Sequence, residues 1–396
     1  MSARAEDFDI VVIGAGAAGM MCAIEAGKRG RRVLVIDHAA APGEKIRISG
    51  GGRCNFTNLR TAPEAFLSQN PRFCISALKR YRPADFIAWI GRHGIAWHEK
   101  TLGQLFCDGS ARQIVEMLTS EMAQAGAELR LQTAAQQIDK TADGFRLICG
   151  GRPVVCPSLV LATGGKSIPK MGATGFAYEV ARRFGLAVTE TRPALVPLTF
   201  EPGLLGQLAA LAGVALDVRA ACGKARFDEA MLFTHRGLSG PAILQISSYW
   251  REGQEIALDM APGVDLFAHL REARAQRGRQ ALATVLAERL PKRLAQLIAD
   301  RQEARGNLAD LSDAKLKTVA TAINAWRVKP VGSEGYRTAE VTLGGIDTTA
   351  LDSRTMEAKA VPGLYVVGEA VDVTGWLGGY NFQWAWASGW SAGQAA

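Results

Sequence analysis

The sequence is poor in the residues that build metal and thiol chemistry. Of 396 residues, five are histidine and seven are cysteine, and no two cysteines form a CxxC pair. Zinc knuckles and dithiol relays are thereby excluded. An odd number of cysteines suits reduced, buried thiols better than a disulfide framework. The histidines fall at no metal-ligand spacing. No apolar run reaches the roughly 18 residues that span a bilayer, so no membrane segment is expected. Met1 to Asp9 is polar and carries both signs of charge. It lacks the apolar stretch of a secretory signal, and a cytoplasmic location is the expectation. Internal repeats and low-complexity linkers are missing too, which excludes solenoids and arrays.

Acidic balance is also lacking: the net charge is +8. Over half of that excess lies between Arg271 and Arg305, with nine Lys/Arg against four Asp/Glu. The stretch has no aromatic residue. Single-stranded nucleic acid is usually bound by basic side chains interleaved with aromatic stacking platforms. A solvated basic helix face is therefore expected here, with docking of an anionic partner as the alternative.

What is present begins at the N-terminus. Asp9-Ile10-Val11-Val12-Ile13 reads as a buried parallel strand and runs into Gly14-Ala15-Gly16-Ala17-Ala18-Gly19. Ala17 to Lys28 reads as a helix, and Arg32 to Asp37 as the next strand. This βαβ unit gives GxGxxG the context that makes it a dinucleotide site. Gly14 permits the tight turn, Gly16 lets backbone approach a diphosphate, and Gly19 lets helix pack on strand. The diphosphate would sit on free N–H groups at the positive end of the helix. Asp37 closes the second strand, where a carboxylate accepts both hydroxyls of an adenosine ribose.

Later segments bear on which dinucleotide. Ser49 to Asn58 is a second glycine-rich turn, with Arg53 placed to pair with a phosphate or polarise a flavin edge. The alternative is a surface loop that merely needs left-handed backbone. A strand over Pro157 to Ala162 ends at Thr163-Gly164-Gly165, a turn similar to one that passes close to the cofactor in two-domain flavoproteins. Gly368-Glu369 resembles their C-terminal motif, whose acid meets the ribityl chain. Gly378 to Gln383 then leads into a final helix, whose N-terminus suits the negative charge of a reduced flavin. Pro63 to Ala127 reads as mainly helical and 263–324 as helices, while Leu195–Phe200, Ala215–Ala220 and Glu255–Met260 read as strands.

Four segments together are specific: GGGRCNFTN at 50–58, FTHRGLSGPAILQIS at 233–247, VTLGGI at 341–346 and GEAVDVTGWLGGYNFQWAWASG at 368–389. With them the chain, from Asp9 to Gly389, resembles a bacterial flavoprotein family that includes aminoacetone oxidase and 3-dehydro-bile-acid Δ4,6-reductase. The resemblance implies an α/β fold: a split Rossmann-type FAD-binding domain with inserted β-barrel-like and small helical domains. The boundaries expected are 1–192 and 344–396 for the FAD domain, 193–262 and 325–343 for the β-rich insert, and 263–324 for the helices. It departs from the family at Asp37, where Glu is commoner, and in its tryptophans. Trp376, Trp384, Trp386 and Trp390 are half of the eight in the chain. They suit a wall beside a flavin and core packing equally well.

The candidate cofactor-binding set is Gly14, Ala15, Gly16, Ala18, Gly19, Asp37, Gly51, Gly52, Arg53, Cys54, Asn55, Ala135, Thr163, Gly164, Gly165, Gly368, Glu369, Gly379, Tyr380, Asn381 and Phe382, for non-covalent FAD. Candidate catalytic groups are His235, whose ordinary pKa suits proton transfer near neutrality, with Tyr380 and Asn381 as hydrogen-bond donors. No metal is expected. With a single dinucleotide motif, NAD(P)H enters as a transient donor, or the substrate itself reduces the flavin. The leading expectation is an FAD-dependent oxidoreductase reducing a C=C bond, or oxidising an amine or alcohol, of a small organic substrate, with nucleic acid and membrane disfavoured as partners. The alternatives are an FAD-dependent RNA-modifying enzyme, motivated by the basic stretch, and a flavin-binding regulator that never turns over. Oligomeric state is left open.

Overall fold

The computed structural model describes residues 5–304 and 306–396. Met1–Arg4 and Arg305, which enter the leader and charge readings above, lie outside the described residues. The chain divides into two compact units: one runs up to Arg192 and resumes over Val341–Ala396, and the other is Pro193–Glu340.

The first unit is built on a parallel sheet. In chain order its relevant elements begin with β1 (Ile10–Ile13), α1 (Ala17–Lys28), β2 (Val33–Ile36) and α2 (Glu44–Gly52). They continue with β3 (Asn55–Asn58), β4 (Trp97–Glu99), β5 (Gln104–Cys107), α3 (Ala111–Gln124), β6 (Glu128–Arg130) and β7 (Ser158–Leu161). All residues of β1 and β2 are buried, as a parallel strand covered on both faces requires. Burial of each such Val or Ile contributes about 1.5–3 kcal/mol. β1 pairs in parallel with β2 on one side (Val12 opposite Val35) and with β7 on the other (Val12 opposite Val160). β6 extends the sheet beyond β2. A separate antiparallel sheet has the order β3-β5-β4. Within 63–127, read as mainly helical, helices Cys74–Arg80, Pro83–Arg92 and α3 form, and β4 and β5 are short strands between the last two that the sequence reading did not include.

The second unit holds a seven-stranded antiparallel sheet around the hairpin β8 (Ala215–Cys222) and β9 (Ala225–Phe233). Helices Leu266–Arg277, Lys292–Arg301 and Asp313–Asn324 follow, consistent with the Ala, Leu and Arg content of that stretch. Much of its charge is used internally. Arg271 and Arg274 meet Asp313, Arg277 meets Glu288 at 2.5 Å, Arg293 donates to the Ala210 carbonyl, and Arg301 donates to Gln207 at 2.5 Å. Five of the nine basic residues of the stretch thus have partners inside their own unit.

The chain returns to the first unit with β10 (Leu364–Val366) and α4 (Tyr380–Gly393). β10 pairs in parallel with β7, so the main sheet has the order β10-β7-β1-β2-β6. α4 lies directly on α1: a Cβ on Gly389 would stand 2.3 Å from the Ala18 carbonyl oxygen, and one on Gly393 would stand 2.6 Å from that of Cys22. Trp384 and Trp386 are wholly buried. Trp386 stacks on Phe86 at 4.5 Å and donates to the Phe56 carbonyl at 2.8 Å, and Trp384 donates to that of Gly368 at 3.0 Å. Both are core residues. All seven cysteines are buried and unpaired, and burial pushes the Cys107 thiol up to about 11. No helix among the described residues is long and apolar enough to cross a membrane.

Candidate cofactor site

β1 delivers its chain to a turn in which Gly14 donates to the Ile36 carbonyl at 2.8 Å. Ala15 N–H then donates to Asp37 Oδ2 at 2.7 Å, and Ala39 N–H to Oδ1 at 2.9 Å. A carboxylate offers about four acceptor positions, so roughly two remain for ribose hydroxyls. Gly16 is the N-cap of α1, and no side chain caps the helix. Its first-turn N–H groups and positive dipole end are therefore open to an anion. The two later glycines of the motif do different work. A Cβ at Gly16 would meet nothing within 4 Å, whereas one at Gly19 would stand 1.9 Å from the Gly14 carbonyl oxygen. Gly16 leaves a cradle empty, and Gly19 closes helix onto turn. Beside Asp37 the chain passes through Thr133, whose N–H donates to the Asp37 carbonyl at 2.8 Å, and reaches Ala135.

The segment after β7 meets the segment after β10. Glu369 accepts from Lys45 Nζ at 2.7 Å, Ser167 Oγ at 2.9 Å and the Thr342 N–H at 2.9 Å. Lys45 also donates to Ser167 Oγ at 2.6 Å. Gly165 makes the approach possible, since a Cβ there would stand 2.4 Å from Thr342 Oγ1 and 2.6 Å from Glu369 Oε1. Next to this cluster, the hydroxyl of Thr163 is buried with no hydrogen-bond partner among the described residues. An orphaned buried hydroxyl is costly unless a ligand satisfies it.

α4 begins against β3. Gly379 has φ +95°, and a Cβ there would stand 2.3 Å from the Thr57 carbonyl oxygen. Only glycine fits both the conformation and the approach. Thr57 Oγ1 donates to Gln383 Oε1 at 2.6 Å, Gln383 Nε2 donates to the Tyr81 carbonyl at 2.8 Å, and Asn58 Nδ2 donates to the Gly378 carbonyl at 2.8 Å. These bonds fix the N-terminus of α4, which no side chain caps. Beside it, Asn55 Oδ1 is buried without a hydrogen-bond partner among the described residues. The amide of Asn381 is occupied by the turn it closes, accepting from Gly375 N–H at 2.8 Å and donating to the Gly375 carbonyl at 2.9 Å. Tyr380 is buried between Phe66 and Trp376, and Phe382 stacks on Trp386 at 5.7 Å.

The second glycine turn is the kinked end of α2, with Gly50, Gly51 and Gly52 at φ 56°, 66° and 86°. Arg53 stands exposed at its exit, and Cys54 is wholly buried, which raises its thiol pKa and keeps it protonated. His235 lies in the other unit, exposed on the turn between β9 and strand Gly237–Ser239. The structure therefore gathers the candidate cofactor residues within the first unit and leaves His235 in the second. Lys45, Ser167, Thr342, Thr57 and Gln383 join the site without having been expected.

The open N-terminus of α1, the ribose acid, the orphaned hydroxyl and the uncapped α4 suit the two halves of FAD, one phosphate-bearing and one polyol-bearing. Fold and cradle define an FAD-binding oxidoreductase of Rossmann type. The sequence profile described as "HI0933-like protein Rossmann domain" matches residues 8–395, and the chain belongs to that family. It is 53% identical over 395 residues to the ribosomal RNA dihydrouridine synthase of Escherichia coli (strain K12), covering 98% of each chain. It is 45% identical to the protein of that name from Haemophilus influenzae (strain ATCC 51907 / DSM 11121 / KW20 / Rd), covering 96% of each. A more distant relative, 28% identical over 98% of each chain, is the 3-dehydro-bile acid delta(4,6)-reductase of Clostridium scindens (strain ATCC 35704 / DSM 5676 / VPI 13733 / 19).

Proposed function

We propose that this protein is an FAD-dependent enzyme that reduces the C5=C6 bond of a uridine in ribosomal RNA, giving dihydrouridine. The observation that carries the reading is the 53% identity, over 98% of both chains, to a protein of that name. The relatives favour the RNA-modifying alternative over the small organic substrate that the sequence put first. The distant reductase shares the chemical type, since it too is named for the reduction of unsaturated bonds.

When bound in its reduced form, FAD would supply the hydride, the uracil C5=C6 bond would gain that hydride and one proton, and NAD(P)H is the proposed source of the two electrons. The chain's own residues hold and tune. Asp37 and the N-terminus of α1 take the adenosine diphosphate half. Thr163 and Glu369 take the polyol. The positive end of α4 stabilises negative charge on the reduced ring system. Tyr380, at the start of α4 in the unit that holds the cradle, is the proposed proton donor.

The test uses FAD-loaded protein, NADH or NADPH, and ribosomal RNA from cells lacking this activity. Digestion and mass spectrometry should find one uridine heavier by two hydrogen atoms. RNA left unchanged with either donor, while a small enone is reduced, would place the protein with the small-molecule reductases instead.

A further inference from the structure

Glu369 is the acid that the polyol half of the cofactor should meet, and its side chain is 18% exposed. A carboxylate taken that far out of water needs a cation or hydrogen bonds beside it. Its one ion pair among the described residues is with Lys45, at 2.7 Å. Lys166, the cation that follows the Thr163-Gly164-Gly165 turn, is engaged elsewhere. Its Nζ donates to Thr191 Oγ1 at 2.9 Å and lies 5.7 Å from the centre of the Tyr178 ring. Lys45 also donates to Ser167 Oγ at 2.6 Å, and Ser167 Oγ donates to Glu369 Oε1 at 2.9 Å. Ammonium, hydroxyl and carboxylate close a triangle in which each is held by the other two.

Local structure directs Lys45 to this triangle. Gly43, at φ 69°, is the N-cap of α2, and its N–H donates to the Ala15 carbonyl at 2.9 Å. The first turn of α2 is thereby tied to the turn that should meet the diphosphate. A Cβ on Gly43 would stand 2.8 Å from Val115 of α3 and 3.4 Å from Ile46. Ile46 is wholly buried, so α2 packs on α3 through that residue. Lys45 lies about 100° round the helix from it. Its side chain reaches instead to Ser167, after β7, and to Glu369, after β10. The turn bearing the orphaned Thr163 hydroxyl runs past the same acid, since a Cβ on Gly164 would stand 3.9 Å from Glu369 Oε2.

A carboxylate offers about four acceptor positions. Ser167 Oγ and the Thr342 N–H take those of Oε1, and Lys45 takes one of Oε2. The position left open is on Oε2, the oxygen beside Gly164 that Lys45 alone holds. We propose that Lys45 is a positioning residue for FAD: it turns Oε2 of Glu369 to the polyol and balances the charge of that carboxylate close to the diphosphate. The inference rests on the proposed placement of the polyol at Glu369 and Thr163, and is independent of the RNA substrate.

The experiment titrates wild type, Lys45→Met, Glu369→Gln and the double variant, each stripped of cofactor, with FAD, following flavin fluorescence. The melting temperature of each stripped protein is recorded alongside. Lys45→Met should weaken FAD binding about 10- to 100-fold, because a part-buried carboxylate is left without its cation. Glu369→Gln should weaken binding when Lys45 is present. When Lys45 is replaced by Met, the same substitution should cost nothing or restore part of the affinity, since it removes the unbalanced charge and keeps an oxygen for the polyol. A lysine that merely supported the fold would lower the melting temperature instead, and its loss would add to that of Glu369→Gln. Additive losses in the double variant, or Lys45→Met that binds FAD like wild type, would overturn the inference while leaving the polyol placement intact. Glu369→Gln that binds FAD like wild type would overturn that placement and the inference with it.

Discussion

Asp37→Ala is expected to purify as a folded protein almost devoid of FAD, with its affinity for the cofactor down about a hundred- to ten-thousand-fold. The size follows from two lost hydrogen bonds to a charged acceptor, each contributing about 1.5–3 kcal/mol. A second effect acts in the same direction. Asp37 also holds the buried Ala15 N–H at 2.7 Å. Its removal leaves that donor unsatisfied in the turn that should meet the diphosphate. Asp37→Glu keeps the charge and should retain most of the FAD, so the pair separates loss of the acceptor from loss of shape. Flavin absorbance against protein concentration, and titration of stripped protein with FAD, measure both. Full flavin occupancy in Asp37→Ala would remove the N-terminal motif from the cofactor site.

The second large effect contrasts two substitutions of identical size. Gly16→Ala adds a methyl where nothing lies within 4 Å, at an ordinary backbone conformation with φ −87°. Its fold should survive with little change in Tm, while FAD binding fails because the methyl fills the space meant for diphosphate. Gly389→Ala adds the same methyl 2.3 Å from the Ala18 carbonyl oxygen. Neither α1 nor α4 can yield there without separating, because Gly393 repeats the close approach one turn later at 2.6 Å. Overpacking between two backbones should cost about 3 kcal/mol or more. Thermal unfolding and flavin content together should show Gly16→Ala thermally stable but colourless, and Gly389→Ala unstable. A stable, fully yellow Gly389→Ala would mean that the packing of the two terminal helices is not what assembles the site.

Local features of the site were legible in the sequence, because short spacing determines them. The β1-α1-β2 unit falls where hydrophobic runs and glycines place it, and the helix expected at Ala17 to Lys28 has those limits. Parallel strands buried on both faces carry an unmistakable apolar run. The strands Trp97–Glu99 and Gln104–Cys107 do not. Each has three or four residues without clean alternation, and the pairing of Gln104–Cys107 to Asn55–Asn58 comes from tertiary structure. Lys45 shows the same limit at the site. Nothing in Glu44-Lys45-Ile46 announces a partner 324 residues away, yet Lys45 and Glu369 stand 2.7 Å apart. The tryptophans were ambiguous for a related reason: a wall beside a ring and a core both call for large apolar side chains. Burial of Trp384 and Trp386 assigns those two to the core.

The most direct measurement mixes anaerobically reduced, FAD-loaded protein with ribosomal RNA that lacks dihydrouridine and follows the flavin spectrum in a single turnover. Reoxidation of the flavin should accompany formation of one dihydrouridine per flavin oxidised. Flavin that stays reduced in the presence of this RNA, yet is reoxidised by a small unsaturated ketone, would contradict the proposed substrate while leaving the cofactor site intact.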